Sequence, residues 1–115
     1  MKTKEITLCC KTVTLAYCFA TEIAFRQYTG KSLEEYEPGN AEHIIYLILS
    51  SILPYYNSLP EKPNAPVVDT DLMYHATPEE LTNALSVALE LRREWYQLPA
   101  GEPDDDNKEE DPKNV

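Results

Sequence analysis

The sequence predicts a mainly α-helical domain of three principal helices, with a short β element near its N-terminus and a disordered acidic tail at its C-terminus. Apolar residues recur at helical spacing in three segments, β-branched residues cluster ahead of the first, and acidic residues dominate positions 99–115. A chain of 115 residues that is 43% hydrophobic can form one domain with a real core. We place that helical domain at residues 1–98.

The β element is predicted within Glu5–Leu15, a segment rich in β-branched residues in which apolar and polar positions partly alternate. We expect a short strand or a hairpin with its turn at Lys11–Thr12. The first helix is predicted over Ala16–Thr29, with Gly30 as its stop. Its spacing predicts an inward face that consists of Tyr17, Phe19, Ala20, Ile23, Ala24 and Tyr28.

The second helix is predicted from Ala41 to about Leu53, with Asn40 as its N-cap. It is apolar nearly all round, so it should be the most buried element. We expect Pro54 to end or kink it, because proline removes a backbone hydrogen bond and crowds the preceding turn. A short helical turn should precede the second helix at Ser32–Glu35, which matches a capping box. Asn57–Pro66, with three prolines, predicts an extended loop.

The third principal helix has the strongest start signal in the chain. Thr77, Pro78 and Glu80 occupy the N-cap, N1 and N3 positions in order. The helix should run to about Gln97. Its predicted inward residues are Leu81, Leu85, Ala88, Leu89 or Arg92, and Trp95. A brief helical turn capped by Asp69 or Asp71 should precede it.

Charge excludes several classes of partner. Ten Lys and Arg against twenty Asp and Glu give a formal net charge of −10. Half of it, −5, lies in residues 99–115, which have too little apolar surface to order and therefore predict a solubilising tail or linker. A net anion with no basic stripe is repelled by phosphate backbones and anionic lipids, so we expect no nucleic-acid or membrane partner. No signal peptide follows Met1, and the longest apolar run, Ile44–Leu49, is too short to span a bilayer, which predicts a cytoplasmic protein.

The residue types that commonly carry chemistry do not form a recognisable site. Cys9, Cys10 and Cys18 are an odd count without metal-ligand spacing, typical of small buried hydrophobes in a reducing compartment. We expect His43 and His75 to be ordinary exposed or half-buried side chains. The acidic pairs Glu34–Glu35 and Glu79–Glu80 fall in first helical turns, where the helix dipole favours them. We therefore predict no catalytic residues, no cofactor, no metal and no enzymatic activity.

Aromatic residues at helix ends are the candidate partner-binding residues. Tyr55 and Tyr56 follow Pro54, and Trp95 and Tyr96 lie at the end of the last helix. Aromatic side chains with a polar tip are enriched at protein interfaces, although the same four residues could simply edge the core. The chain therefore looks more like a binding module than an enzyme.

A family resemblance supports this interpretation. The segment Leu15–Tyr36, with Tyr-Thr-Gly-Lys-Ser at Tyr28–Ser32, resembles the tail assembly chaperones of long-tailed bacteriophages. The apolar helix His43–Leu53 and the helix start Thr77–Leu81 follow in the order typical of that family. The similarity covers roughly residues 5–98.

The resemblance implies a non-enzymatic protein made in the host cytoplasm and absent from the mature virion. It would bind the tape measure protein, keep it soluble and help to recruit tail tube subunits, either as a monomer or as a homo-oligomer. The alternative is a small acidic adaptor or inhibitor, of the antitoxin or DNA-mimic type, that binds a basic protein partner. Deleting residues 99–115 separates the two, because an inhibitor that depends on the tail loses binding and a groove-binding chaperone keeps it.

The resemblance also implies a longer product made by a programmed ribosomal frameshift. Pro112–Asn114 can be encoded CCA AAA AAC, which contains the slippery heptamer A AAA AAC. We expect the coding sequence to carry this heptamer, and mass spectrometry of expressed protein to detect a form with an additional C-terminal domain. Other codons at these positions would contradict the expectation.

Overall fold

The computed structural model describes residues 2–97. Within this range the protein is mostly helical, with four α-helices and one two-stranded antiparallel sheet. The elements are β1 (Thr3–Leu8), β2 (Lys11–Ala16), α1 (Phe19–Thr29), α2 (Ala41–Ser58), α3 (Asp69–Tyr74) and α4 (Pro78–Tyr96), with a 3-10 turn at Leu33–Glu35. The mainly α class with a short N-terminal β element is therefore confirmed for these residues. The predicted tail, residues 99–115, lies outside them.

The β element is a hairpin whose turn is at Cys9–Cys10 and not at Lys11–Thr12 as the sequence predicted. Ile6 pairs with Val13, and Leu8 pairs with Lys11 beside the turn. In this register the buried residues Leu8, Val13 and Leu15 share one face of the ribbon and join the core. A turn two residues later would change the pairing partners of this apolar face.

The turn contains strained backbone that the rest of the fold holds in place. Cys9 and Cys10 have φ values of 54° and 64°, as a two-residue hairpin turn of the primed type requires, although glycine and asparagine are the usual occupants. The backbone N–H of Cys9 donates to Glu80 Oε2 at 3.2 Å, and its thiol donates to the carbonyl of Asp71 at 3.5 Å. These contacts join the turn to α4 and to α3.

The central element is α2, as the apolar pattern predicted. Six consecutive residues, Leu47–Ile52, are buried, which requires cover on every side of the helix. The hairpin, α1, α3 and α4 all pack against α2. The remaining core residues come from these elements and from the segments that connect them, and the largest are Leu8, Leu15, Tyr17, Phe25, Leu72 and Leu91.

Pro54 does not end α2, which continues to Ser58. Proline in a helix interior costs a hydrogen bond, so tertiary contacts must compensate for the loss. Tyr56, one half turn beyond, packs against the core and accepts a hydrogen bond from the backbone N–H of Thr14 at 3.1 Å. The last turn of the helix is thus fixed to β2, and the loop begins at Leu59 rather than at Asn57.

The predicted N-caps of α2 and α4 are confirmed, whereas the N-cap of α3 is Val68 and not Asp69 or Asp71, as the sequence had predicted. Thr77 Oγ1 accepts from the Glu80 backbone N–H at 3.1 Å, while Glu80 Oε1 accepts from the Thr77 N–H at 2.9 Å. Glu35 and Asp71 make the same return bond to the residue three positions earlier, at 3.0 Å and 2.9 Å. Asn40 Oδ1 caps α2.

The burial of side chains departs from the sequence prediction at several positions. In α4 the buried residues are Ala84, Ala88 and Leu91, whereas Leu81 and Leu85 are only half-buried. His43, expected to be exposed or half-buried, is buried, and its Nδ1 accepts from the backbone N–H of Glu37 at 3.0 Å. That bond to the neighbouring loop draws the imidazole inward, while His75 is exposed as expected.

The double role of Glu80 generates a stability prediction. Its carboxylate serves both the α4 N-cap and the strained hairpin turn, so Glu80→Ala should lower the free energy of unfolding by about 1–3 kcal/mol. Glu79→Ala is the matched control, because Glu79 is exposed in the same first turn, and its effect should stay within about 0.5 kcal/mol. Urea denaturation measures both, and equal effects would contradict the proposed link.

Candidate functional site

The outward side of α1 is an apolar surface that the other elements of residues 2–97 leave largely exposed. We call it the open face of α1; it comprises Phe19, Ala20, Ile23, Ala24, Gln27 and Tyr28. Phe19 is 62% exposed, Ile23 59% and Tyr28 42%. The sequence predicted the apolar members of this set to face inward, which is wrong for Phe19, Ala20, Ile23 and Tyr28 because all four are exposed.

The rotation of α1 follows from its first turn. The hydroxyl of Thr21 is buried; its Oγ1 accepts from the Cys18 backbone N–H at 3.2 Å and donates to the Ala16 carbonyl at 3.5 Å. With Thr21 held inward, Phe25 lies one turn further on the same side, where its ring meets that of His43 at 5.6 Å. Phe19 and Ile23 then necessarily occupy the opposite side of the helix.

A groove of about 550 Å³ separates the open face from the end of α4. Its lining residues are Phe19, Glu22, Ile23, Arg26, Ser32, Leu33, Glu34, Arg92 and Tyr96. At one edge the ring of Phe19 meets that of Trp95 edge to face, with centroids 5.4 Å apart. Because α1 packs mainly on α2, long side chains rather than backbone contacts join it to α4.

Those side chains form the α1–α4 polar cluster, which consists of Tyr17, Glu22, Arg92 and Tyr96. Tyr17 donates its hydroxyl hydrogen to Glu22 Oε2 at 2.7 Å, and the Tyr96 hydroxyl donates to the same oxygen. Arg92 Nε donates to the Tyr17 hydroxyl at 3.3 Å, and its guanidinium lies 5.3 Å from the centroid of the Tyr96 ring. Glu22 is thus the acceptor that both tyrosines share in the contact between α1 and α4.

The pKa shifts of Tyr17, Tyr96 and Cys9 favour a structural role for these three side chains. Burial raises the pKa of Tyr17, and the hydrogen bond to Glu22 raises the pKa of Tyr96. Burial, followed by the charges of Glu80 and Asp71, likewise raises the pKa of the Cys9 thiol. Near neutral pH these three groups remain protonated and act as hydrogen-bond donors.

A second groove, of about 460 Å³, lies on the other side of the open face, between α1 and the last turns of α2. Its lining residues are Ala20, Ile23, Ala24, Gln27, Tyr28, Leu53, Pro54, Asn57 and Ser58. The Tyr28 ring stacks on that of Tyr46, with centroids 4.9 Å apart and planes 12° from parallel. Ile23 lines both grooves and therefore forms the ridge between them.

The structure separates the four predicted partner-binding residues into two places. Trp95 and Tyr96 lie beside α1, where Tyr96 is 55% exposed and borders the first groove. Tyr55 and Tyr56 contact each other edge to face at 5.1 Å, and Tyr56 is bonded to the hairpin. Tyr56 therefore has a structural role.

Sequence reasoning missed Phe19 and Ile23 as surface residues. The signal that could have found them is the competing stripe Tyr17, Thr21, Phe25, which has the same four-residue spacing. A threonine in the first turn after an extended residue is a capping candidate, and capping would have favoured that stripe as the inward one.

Several general features of the described residues bear on function. Among residues 2–97 no group of three or more His, Cys, Asp or Glu side chains is arranged to hold a metal ion. Within the same range no helix is long and apolar enough to cross a membrane. Comparison with protein-family models, with curated proteins and with solved structures finds no match.

The polar cluster predicts an energetic coupling between α1 and α4. In a double-mutant cycle, Glu22→Ala and Tyr96→Phe should couple by about 0.5–1.5 kcal/mol, because each change removes the same charge-assisted hydrogen bond at a partly exposed site. Tyr74→Phe is the control, since Tyr74 is 78% exposed on α3, and it should show no coupling with Glu22→Ala. Chemical denaturation of the four variants of each cycle supplies the values; zero coupling at Tyr96 would contradict the role of the cluster.

Proposed function

We propose that the protein is a non-enzymatic tail assembly chaperone of a long-tailed bacteriophage, with a helical chaperone domain and an acidic C-terminal tail. It acts in the host cytoplasm, binds the tape measure protein, keeps it soluble and helps to recruit tail tube subunits. The observation that carries the proposal is the open face of α1, an apolar surface between two grooves. It adds to the family resemblance of residues 5–98.

The size of the exposed surface favours a single helix as the client. An aromatic side chain offers about 150–250 Å². At exposed fractions of 62%, 42% and 55%, the rings of Phe19, Tyr28 and Tyr96 leave roughly 300 Å² open to solvent before Ile23 is counted. That area is comparable to the largest apolar patch of a typical monomer but well below the roughly 800 Å² that each partner buries in a standard globular interface. An amphipathic helix laid in a groove fits this scale.

The shape of the surface suits a helical client. Ala20 and Ala24 line the second groove and lack long side chains, so a helix backbone can approach α1 closely there. The Ile23 ridge would lie between side chains of the client, which then occupy the grooves on either side. A tape measure helix exposes long apolar stripes and would otherwise aggregate, which gives this contact a physical purpose.

The acidic tail complements this role. Residues 99–115 carry −5, and like charges on many copies along one client would oppose aggregation of the coated assembly. In a frameshifted product the same segment would serve as the linker to a further domain.

The experiment is co-expression of the chain with the tape measure protein of the same genome, scored by affinity capture and by the soluble fraction of the client. Ile23→Asp should reduce capture at least tenfold, because a charge on the ridge must be desolvated against the apolar client. Ile23 is 59% exposed, so the variant should fold normally, as far-UV circular dichroism will show.

Met73→Asp is the matched control, an exposed apolar residue on α3 away from both grooves, and it should leave capture unchanged. A chain lacking residues 99–115 should also retain capture, whereas an acidic adaptor that binds through its tail would lose it. Capture by Ile23→Asp at the level of the unsubstituted protein would refute the proposed site.

A further inference from the structure

A third cavity lies apart from the open face of α1, between the N-terminal halves of α2 and α4. Its volume is about 220 Å³, and its lining residues are Ala41, Ile44, Ile45, Pro78, Leu81, Thr82 and Leu85. Six of these seven are apolar, and none carries a charge. It shares no residue with either groove beside α1.

The cavity is large enough for one bulky apolar side chain. An apolar cavity of about 150 Å³ in a protein core binds benzene, so a volume of 220 Å³ accepts an aliphatic side chain or a single ring. Ile44, Ile45, Leu81 and Leu85 pack against the core from half-buried positions. The walls are therefore held by the fold itself, which lowers the entropic cost of filling the cavity.

The charged residues that directly follow lining residues along the chain are acidic. Neither residues 32–61 nor residues 63–91 contain a lysine or an arginine. Glu42 and Glu79 directly follow the lining residues Ala41 and Pro78, and both are exposed. Among the described residues the one ion pair is Lys4 with Glu90, so neither acid has a cationic partner there.

Helix capping accounts for part of this pattern but not for all of it. Acids are favoured in first turns by the helix dipole, and Glu80 is engaged by two backbone N–H groups. The dipole does not explain why an apolar cavity opens beside those turns without a lysine or arginine to cover it. The groove between α1 and α4 differs in this respect, since Arg26 and Arg92 line it together with Glu22 and Glu34.

We propose that this cavity is a second docking site, for a protein segment that presents one aliphatic or aromatic side chain flanked on both sides by lysine or arginine. The apolar side chain fills the cavity and supplies most of the affinity. The flanking cations meet Glu42 and Glu79 and set the orientation and the rate of association. The site is independent of the tape measure site on α1 and does not rest on that assignment.

The test uses the full chain and a fluorescein-labelled peptide of about 15 residues, with a central leucine and lysines three and four residues away on each side. A matched peptide carries glutamate in place of lysine, and another carries asparagine in place of leucine. By fluorescence anisotropy the lysine–leucine peptide should bind at least tenfold more tightly than either, and its affinity should fall as salt is raised.

Variants locate the binding. Thr82→Arg places a cation and a long side chain at the cavity and should weaken binding of the lysine–leucine peptide at least tenfold. Ser86→Arg is the control, because Ser86 is an exposed hydroxyl residue one turn further along α4 that does not line the cavity. Ile23→Asp should leave peptide binding intact, because Ile23 does not line the cavity. A failure of the proposed cavity site can therefore be distinguished from a failure of the proposed site on α1.

Two outcomes would overturn the proposal. One is equal binding of the lysine and glutamate peptides, or binding that Thr82→Arg leaves unchanged. The other concerns self-association, which sedimentation of the free protein measures. If Thr82→Arg abolishes self-association while peptide binding persists, the cavity belongs to an interface with a second copy of the chain. Thr82 is exposed, so loss of binding through unfolding is checked directly by the thermal transition of each variant.

Discussion

The need to cover α2 on all sides is the constraint on which the rest of the structure depends. Six consecutive buried residues, Leu47–Ile52, leave no side of the helix for solvent, so a domain of this size must use every other element as cover. The hairpin, α1, α3 and α4 each meet this helix. The hairpin can do so only in one register, and its turn is held by Glu80 from the first turn of α4. A strained turn, a helix cap and the central core are thereby joined in one network.

Covering α2 has a consequence for α1. A helix of eleven residues that packs mainly on one neighbour has a second side left over, and here that side carries Phe19 and Ile23. The polar cluster around Glu22 joins α1 to α4 through side chains, so a groove stays open between the two helices. The domain thus presents an apolar surface at α1, beside a groove lined by both arginines and glutamates, and an uncharged apolar cavity between α2 and α4. The two surfaces share no lining residue and differ in local charge, because the groove mixes cations and anions.

The sequence predicted best what depends on neighbouring residues. The cap of α4 at Thr77, the return bond of Glu35 and the stop of α1 at Gly30 follow from hydrogen bonds within a few residues, and all are present. The sequence-based prediction was wrong where a residue distant in the sequence determines the local structure. Pro54 stays inside α2 because Tyr56 is bonded to β2, and the turn forms at Cys9–Cys10 because the core selects the register. Of the candidate site, Trp95 and Tyr96 were found from composition, while Phe19 and Ile23 were assigned to the core.

By itself the sequence determined the mainly helical class, the order of the elements, the central place of α2 and the division of charge between residues 1–98 and the acidic segment 99–115. These properties depend on composition and on periodicity, which are local. Only the tertiary structure decided which side of α1 faces outward. Two apolar stripes with the same spacing run along that helix, and local pattern alone cannot rank them. The buried hydrogen bonds of Thr21 selected one stripe for the core and left the other, with Phe19 and Ile23, exposed to solvent.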